Sequence, residues 1–460
     1  MPKITFMGAG STVFAKNVLG DCMLQAPLSD SQIALYDIDP QRLDESRRML
    51  ENLNAYINGN RATITCHCGA EQRKDALRGA DFVVNAIQVG GYKPSTVIDF
   101  EIPKKHGLQQ TIGDTLGIGG IFRALRTIPV MLDFARDMEE VCPQAWFLNY
   151  TNPMAMLTGA MLRASSIKTV GLCHSVQVCV WSLLHTLDPD QKIFPCDFDK
   201  TAEEQGYSAH IAGINHQAWL LSLKKDGKDI YPQIREMGKE FVAKHRALPA
   251  DDPAKSKNII RIELMNRFGY YVTESSEHSA EYMPYWIKST HPELIGEYNI
   301  PLDEYPRRCI IQIEDWKKRN DEICNNAKLE HKLSHEYGSR IIRAITTGEP
   351  IRIGGNILNK GGLISNLVEG AIVEVPCLVD ANGIQGCRVG ALPPQCAALN
   401  MTNVNAQLLT IEAALTGKKE HIYHAAMLDP HTSSELTIDQ IVALCDDLIA
   451  AHGDMLPAFH

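Results

Sequence analysis

The 460-residue chain has no uninterrupted apolar stretch approaching the roughly 18–20 residues that a membrane-spanning helix needs. No leader is expected at its start either. A signal peptide needs an apolar core and a small-residue cleavage site, whereas Met1-Pro2-Lys3-Ile4-Thr5-Phe6 runs straight into an apolar strand and a glycine loop. A cytoplasmic protein with no membrane partner is expected. Cysteine pairing is missing too. The 13 cysteines are odd in number and irregularly spaced, with no C-x-x-C pair, and Cys66-His67-Cys68 is their only close cluster. In a reducing compartment these are free thiols, mostly small buried hydrophobes. Long basic runs are absent. Lys317-Lys318 and Lys418-Lys419 read as solvated surface, and the formal net charge of -10 argues against a sequence-independent grip on phosphate backbones. Low complexity and internal repeats are absent as well.

What is there is globular composition, 45% hydrophobic and 22% charged, in a chain long enough for two domains. Residues 3–7 predict a short buried strand, Gly8-Ala9-Gly10-Ser11 a tight turn, and residues 12–25 a helix. Gln32 to Asp37 predicts a second strand ending in an acid. Residues 40–57 predict a helix with Pro40 in its first turn. Further strands are expected over residues 62–67, 81–87, 145–150 and 170–173, with a helix over 118–140. This alternation implies a parallel, doubly wound α/β sheet of the Rossmann type. Beyond it the pattern changes. Residues 208–224 alternate like antiparallel strands, long helical segments follow, and 351–390 is a glycine-rich strand region. A domain change is expected near residue 190, within about 15 residues: 1–190 for nucleotide binding, 191–460 an α+β substrate, metal and oligomerisation domain.

A dinucleotide site needs glycine where the chain turns after the first strand and again where backbone meets pyrophosphate. Gly8 and Gly10 fit, with Ala9 and Ser11 completing the loop, but Val13 stands where a third glycine is usual. Asp37 ends the second strand, 27 residues after Gly10. A carboxylate there accepts bonds from ribose hydroxyls and repels a 2′-phosphate, which favours NAD over NADP. The competing role for Asp37 is to cap the turn that leads to Pro40.

Cys173-His174-Ser175 follows a strand, where such sheets place active-site loops. Thiolate and imidazole suit Mn, Fe, Co or Zn. Gly213-Ile214-Asn215-His216 adds a second imidazole, and His210 competes with it, since strand parity puts both on one face. Asp114, in a glycine-bounded loop, and the amides Asn149 and Asn152 offer the bidentate groups a polyhydroxylated ligand needs. Residues 271–278 are dense in titratable groups and read equally as a helix cap or an exposed loop.

Gly8-Ala9-Gly10-Ser11, Gly113-Asp114-Thr115-Leu116-Gly117, Asn149-Tyr150-Thr151-Asn152-Pro153, Cys173-His174-Ser175 and Gly213-Ile214-Asn215-His216 occur in the order seen in glycoside hydrolase family 4. The resemblance runs on through Asn356 and Val379–Gly383 to Tyr423–Ala426, nearly the whole chain, and points to the family's bacterial α-galactosidase branch. It implies a lactate/malate dehydrogenase-like fold, bound NAD, Mn or another divalent ion, and a homodimer or homotetramer. By resemblance Cys173 and His216 hold the metal, the histidine after an asparagine being preferred over His210. Asp114 and Asn152 hold sugar hydroxyls, and His174 is the acid for the leaving group. Phospho-sugar members carry a different residue after the cysteine, so His174 suits an unphosphorylated sugar. The base is Tyr270 or Glu274. The implied chemistry is oxidation at C3 by NAD, proton loss at C2 and elimination at C1, which departs from the paired-carboxyl scheme of most glycosidases. The rivals are an α-galacturonidase or α-glucuronidase, with Arg123, Arg126 or one of several later arginines for the carboxylate, a hydroxy-acid dehydrogenase, and an NAD-binding sensor without turnover.

Overall fold

The computed structural model describes all residues, 1–460. Thirteen strands form one sheet: β1 (Lys3–Met7), β2 (Gln32–Asp37), β3 (Thr63–Cys68), β4 (Phe82–Asn85), β5 (Trp146–Asn149), β6 (Lys168–Gly171), β7 (Tyr207–Ile214), β8 (Gln217–Lys225), β9 (Lys228–Asp229), β10 (Tyr271–Val272), β11 (Ile351–Leu358), β12 (Ile372–Asp380) and β13 (Gly383–Gly386). The first six are parallel in the order 3-2-1-4-5-6, the doubly wound arrangement expected from the alternation. Their interiors are continuous apolar runs, such as the fully buried Phe82-Val83-Val84, because helices cover both faces of a parallel sheet.

The remaining strands are antiparallel and extend the sheet from the β6 edge in the order 11-12-7-8-10. The joins are narrow. β6 meets β11 through the single pair Gly171 and Asn356, and β12 meets β7 through Glu374 and Gly213. Gly171, Asn356, Glu374 and Gly213 therefore form one row across the sheet. Both glycines are required by closeness. A Cβ on Gly171 would lie 2.6 Å from Met154 Sδ, and one on Gly213 would lie 2.6 Å from the Ala218 Cα. Cys173 follows the first glycine by two residues and His216 the second by three, so this row sets where the two side chains meet.

Helical boundaries agree closely with the sequence reading: Thr12–Leu24, Pro40–Asn58 and Gly117–Val141. The strand expected over 170–173 ends at Gly171, which frees Leu172, Cys173 and His174 to form the loop beyond the sheet edge. Val13, in the usual place of a third glycine, is 52% exposed; it points away from the strand and needs no close approach. The late helices Pro394–Thr416 and Ile438–His452 fold back onto the first half of the chain. There the buried Asp99 receives both Arg126 (2.6 Å) and His452 (3.0 Å). No helix is long and apolar enough to cross a membrane.

Candidate active site

The loop after β1 is shaped by backbone. Gly8 has φ +85, and a Cβ there would sit 2.7 Å from the Ala86 carbonyl oxygen, so only glycine fits. Ser11, next to the helix Thr12–Leu24, makes no side-chain cap, which leaves the first helical N–H groups free for an anion. Asp37 does two jobs within the chain. Its Oδ2 accepts from Gly10 N at 2.6 Å and its Oδ1 from Asp39 N at 3.0 Å. The helix cap itself is Asp39, which accepts from Gln41 N and Arg42 N. The competing role for Asp37 is thus taken in part by its neighbour.

A cavity of about 480 Å³ opens beside this loop. Ser11, Ala86 and Ile87 line one side; Cys173, His216 and Glu274 line another. Cys173 Sγ lies 3.2 Å from His216 Nε2, Glu274 Oε2 lies 3.6 Å from the same nitrogen, and all three ligand atoms fall within 4.8 Å of one another. His216 sits in the two-residue link between β7 and β8 at φ +61, a conformation a histidine adopts only when its surroundings hold it there. Tyr282 helps to hold it, its hydroxyl 3.0 Å from Nδ1. His210 pairs with Ser222 beside a β-bulge and does not line the cavity.

Burial pushes the Cys173 thiol well above its ordinary value, and the Glu374 and Glu274 carboxylates push it further. Such a thiol becomes a thiolate only if a cation joins it. One sulfur, one imidazole and one carboxylate within a coordination sphere fit a divalent metal of the Mn–Zn series. Burial raises Glu274, but His216, His278 and the Ser275 N–H outweigh it, and its carboxyl lies below the ordinary value. It stands ionised. Tyr270 is elsewhere: it packs beside Tyr231, ring centroids 6.4 Å apart, and does not line the cavity.

Asp114 is joined to the trio through His278, whose ring lies 4.6 Å from that of His216 and 3.9 Å from the Glu274 carboxylate. Asp114 accepts from Thr115 Oγ1 (2.5 Å) and Asn152 Nδ2 (3.3 Å) and faces His278 Nε2 at 3.8 Å. Burial opposes its charge, but His278 and Arg123 hold the carboxyl below the ordinary range. Asn152 lines the cavity. Asn149 does not; its amide is buried and bonds Thr151 and Asn85. His174 also faces the cavity, with its Nε2 2.6 Å from Glu336 Oε2. Burial lowers its pKa, yet the bond and charge of Glu336 raise it more, leaving it above the ordinary histidine value.

Two family models match the sequence: family 4 glycosyl hydrolase over residues 3–188 and the family 4 glycosyl hydrolase C-terminal domain over residues 211–432. The chain belongs to family 4 of the glycosyl hydrolases. It is 59% identical to an alpha-galactosidase of Bacillus subtilis (strain 168) over 100% of both chains. It is 32% identical to an alpha-galactosidase of Rhizobium meliloti (strain 1021), covering 99% of this chain and 89% of that one. Among solved structures, a 6-phospho-alpha-glucosidase from gut microorganisms, in complex with NAD and Mn2+, superposes with a TM-score of 0.78 over 100% of both chains at 19% identity. Malate dehydrogenase from Plasmodium falciparum shares the fold at a TM-score of 0.50, over 90% of this chain and 99% of that one, at 15% identity. The dehydrogenase-like fold expected from the resemblance is therefore present in this family 4 enzyme.

Several groups of this family 4 site were not singled out from sequence. Glu281 accepts from Ile112 N (2.9 Å) and Gly113 N (3.1 Å), fixing the loop that carries Asp114, and burial pushes its carboxyl up to about 7 even so. Tyr305 binds Arg123, Tyr282 binds His216, and Glu336 binds His174. A signal existed for part of this. Glu281 and Tyr282 stand three and four residues after His278, which places all three on one face of the turn that ends the helix Ser276–Glu281. Glu336 and Tyr305 come from distant segments with no local pattern.

Proposed function

We propose that this family 4 enzyme hydrolyses α-galactosides with bound NAD and a divalent metal ion, Mn in first place. The observation that carries the reading is the shared cavity: an uncapped glycine loop on one wall and a thiol–imidazole–carboxylate trio on the other. The full-length identity to an alpha-galactosidase supports the substrate. When bound, the two groups supply a hydride acceptor for C3 and a Lewis acid for the resulting carbonyl.

The chain's own residues do the rest. Gly8, Ala9, Gly10 and Ser11 seat the pyrophosphate, and Asp37 faces the ribose. Cys173 and His216 hold the metal. Asp114 and Asn152 orient the sugar hydroxyls, Asp114 being ionised and an acceptor on both oxygens. Glu274, the ionised member of the trio, takes the C2 proton; Tyr270, packed away from the cavity, is set aside. His174, whose protonated form Glu336 favours, gives its proton to the leaving oxygen. A uronide would need an arginine with charge to spare. Arg123 already faces Asp114 and binds the Asn152 carbonyl and Tyr305, Arg308, which also lines the cavity, is paired with Glu304 and Glu277, and Arg126 is bound to Asp99 away from the cavity. That balance favours a neutral sugar.

We propose the domain division near residue 190, a reading supported by the gap between the two matched spans, 3–188 and 211–432. We also read the enzyme as cytoplasmic, supported by 13 free cysteines, and as a homodimer or homotetramer. Exposed Ile310, Ile311 and Ile313 on the helix Glu304–Cys324 support an interface between copies. The test is hydrolysis of p-nitrophenyl α-galactoside in the presence of a thiol reductant, with NAD and Mn added or withheld. Activity that needs both, with no net NADH, is expected. Inertness on this substrate together with NADH build-up on a hydroxy acid makes the protein a dehydrogenase instead.

A further inference from the structure

Residues 331–337 form a strap between two parts of the molecule. At one end it is bolted to Asp21, buried on the helix that follows the nucleotide loop. Asp21 Oδ1 lies 2.7 Å from His331 Nε2 and accepts from Ser334 N at 2.8 Å; its Oδ2 accepts from Ser334 Oγ at 2.7 Å. Gly20 makes room for the histidine, since a Cβ there would lie 2.8 Å from the ring. At the other end, the Tyr337 hydroxyl donates to the Cys173 carbonyl. Between the two bolts lies Glu336. Its own N–H donates to Ser334 Oγ at 3.1 Å, and its side chain, 11% exposed, reaches His174 Nε2 at 2.6 Å. The His174 side chain is 45% exposed and lines the cavity, so without this bond it would sample several rotamers.

We propose that Glu336 is the positioning residue for His174: the strap fixes the imidazole by its Nε2 edge and turns Nδ1 toward the leaving oxygen. This rests on the reading of His174 as the acid for the leaving group. A carboxylate that binds one ring nitrogen sets both the orientation of the ring and which nitrogen faces the substrate. Both ends of the strap are tied by buried bonds, so the Glu336 carboxylate is held in place before substrate arrives. As the C1–O bond breaks, its electron pair stays on the leaving oxygen, which takes the proton from Nδ1 and leaves a neutral ring. Proton removal at C2 is a separate event and does not involve this strap. A ring out of place therefore slows departure but not C2 exchange.

The experiment uses the full chain with NAD, Mn and a reductant, and methyl α-galactoside deuterated at C2. Two rates are read in the same tube: loss of deuterium from unreacted substrate and release of methanol. For Glu336→Gln, methanol release is expected to fall about 100-fold, the scale of a misplaced catalytic group, with deuterium loss changed less than about threefold. His174→Ala should shift the ratio the same way, and the double variant should add nothing further. Glu336→Asp, which keeps the charge on a shorter arm, should give an intermediate ratio and serves if the glutamine variant does not fold. A parallel fall of both rates in the Glu336 variants, with His174→Ala still shifting the ratio, overturns the positioning role alone. An unshifted ratio in His174→Ala overturns the acid reading and this proposal with it.

Discussion

The two walls of the cavity are built by different means. The nucleotide wall is backbone. Gly8 to Ser11 and the first turn of the following helix are contiguous in sequence, and their shape comes from a positive φ and a forbidden Cβ. The wall proposed to hold metal and sugar is side chain. Asp114, Asn152, Cys173, His216, Glu274 and Glu336 come from six separate segments and meet through long-range bonds. Away from Gly8, where no Cβ fits, a backbone site tolerates single side-chain changes because the peptide groups remain, whereas a converged side-chain site loses its function with one residue. The contrast predicts a ranking of effects across the cavity.

The largest effect is expected at Cys173. Cys173→Ser replaces a soft ligand by a poor one, and metal-dependent hydrolysis should fall by about 10³-fold or more, with bound Mn lost by elemental analysis. NAD binding, followed by fluorescence quenching, should stay within about threefold. Full metal-dependent activity in this variant breaks the assignment of the ligand. Next comes Glu274→Gln, which separates base from ligand. A general base is worth about 10²–10⁴-fold, so hydrolysis and C2 deuterium exchange should fall together by that amount while Mn stays bound. Loss of Mn instead makes Glu274 the third ligand.

Metal affinity itself should depend on pH. Burial holds the Cys173 thiol protonated in the metal-free protein, and binding must displace that proton. The sign follows: acid competes with the metal, so affinity rises with pH. The slope should be about tenfold per pH unit around neutrality, and about one proton should be released per ion bound. Calorimetry in two buffers of different ionisation enthalpy reads that proton. A flat profile means the thiol is already ionised or is not a ligand.

This difference between the walls also explains what could be read from the sequence. The parallel sheet was legible because a buried strand is a continuous apolar run and its turns carry glycine and proline; Pro40 fell at the helix start as expected. Cys173, His216 and Asp114 were recognisable through short motifs, since each sits in a loop whose glycines or sheet edge constrain its neighbours. Tyr270 and Glu274 were inseparable because they flank the two-residue strand Tyr271–Val272, too short a run to give a periodicity that orients them. Only the packing of Tyr270 beside Tyr231 and the approach of Glu274 to His216 distinguish the two. Glu336 left no trace in local pattern. It gains its place from Asp21, more than 300 residues earlier.

The smallest effect is expected on the nucleotide wall, at Asp37. Its carboxylate accepts from Gly10 N, so removal of the side chain would loosen the loop as well as the ribose contact. Asp37→Asn removes the charge; its one amide oxygen still accepts from Gly10 N, and only the bond from Asp39 N, in the turn beyond, is lost. The loop should keep its shape, and the pyrophosphate, held by peptide N–H groups, should feel little. NAD affinity should fall about three- to tenfold, the worth of one charge-assisted bond weakened to a neutral one. NADP should gain in the same variant, since the carboxylate no longer repels the 2′-phosphate. Titration of both nucleotides against the wild-type and variant proteins gives the two numbers. A loss of NAD binding beyond about 100-fold would mean that the carboxylate, not the backbone, holds the cofactor, and the contrast between the two walls would fail at that point.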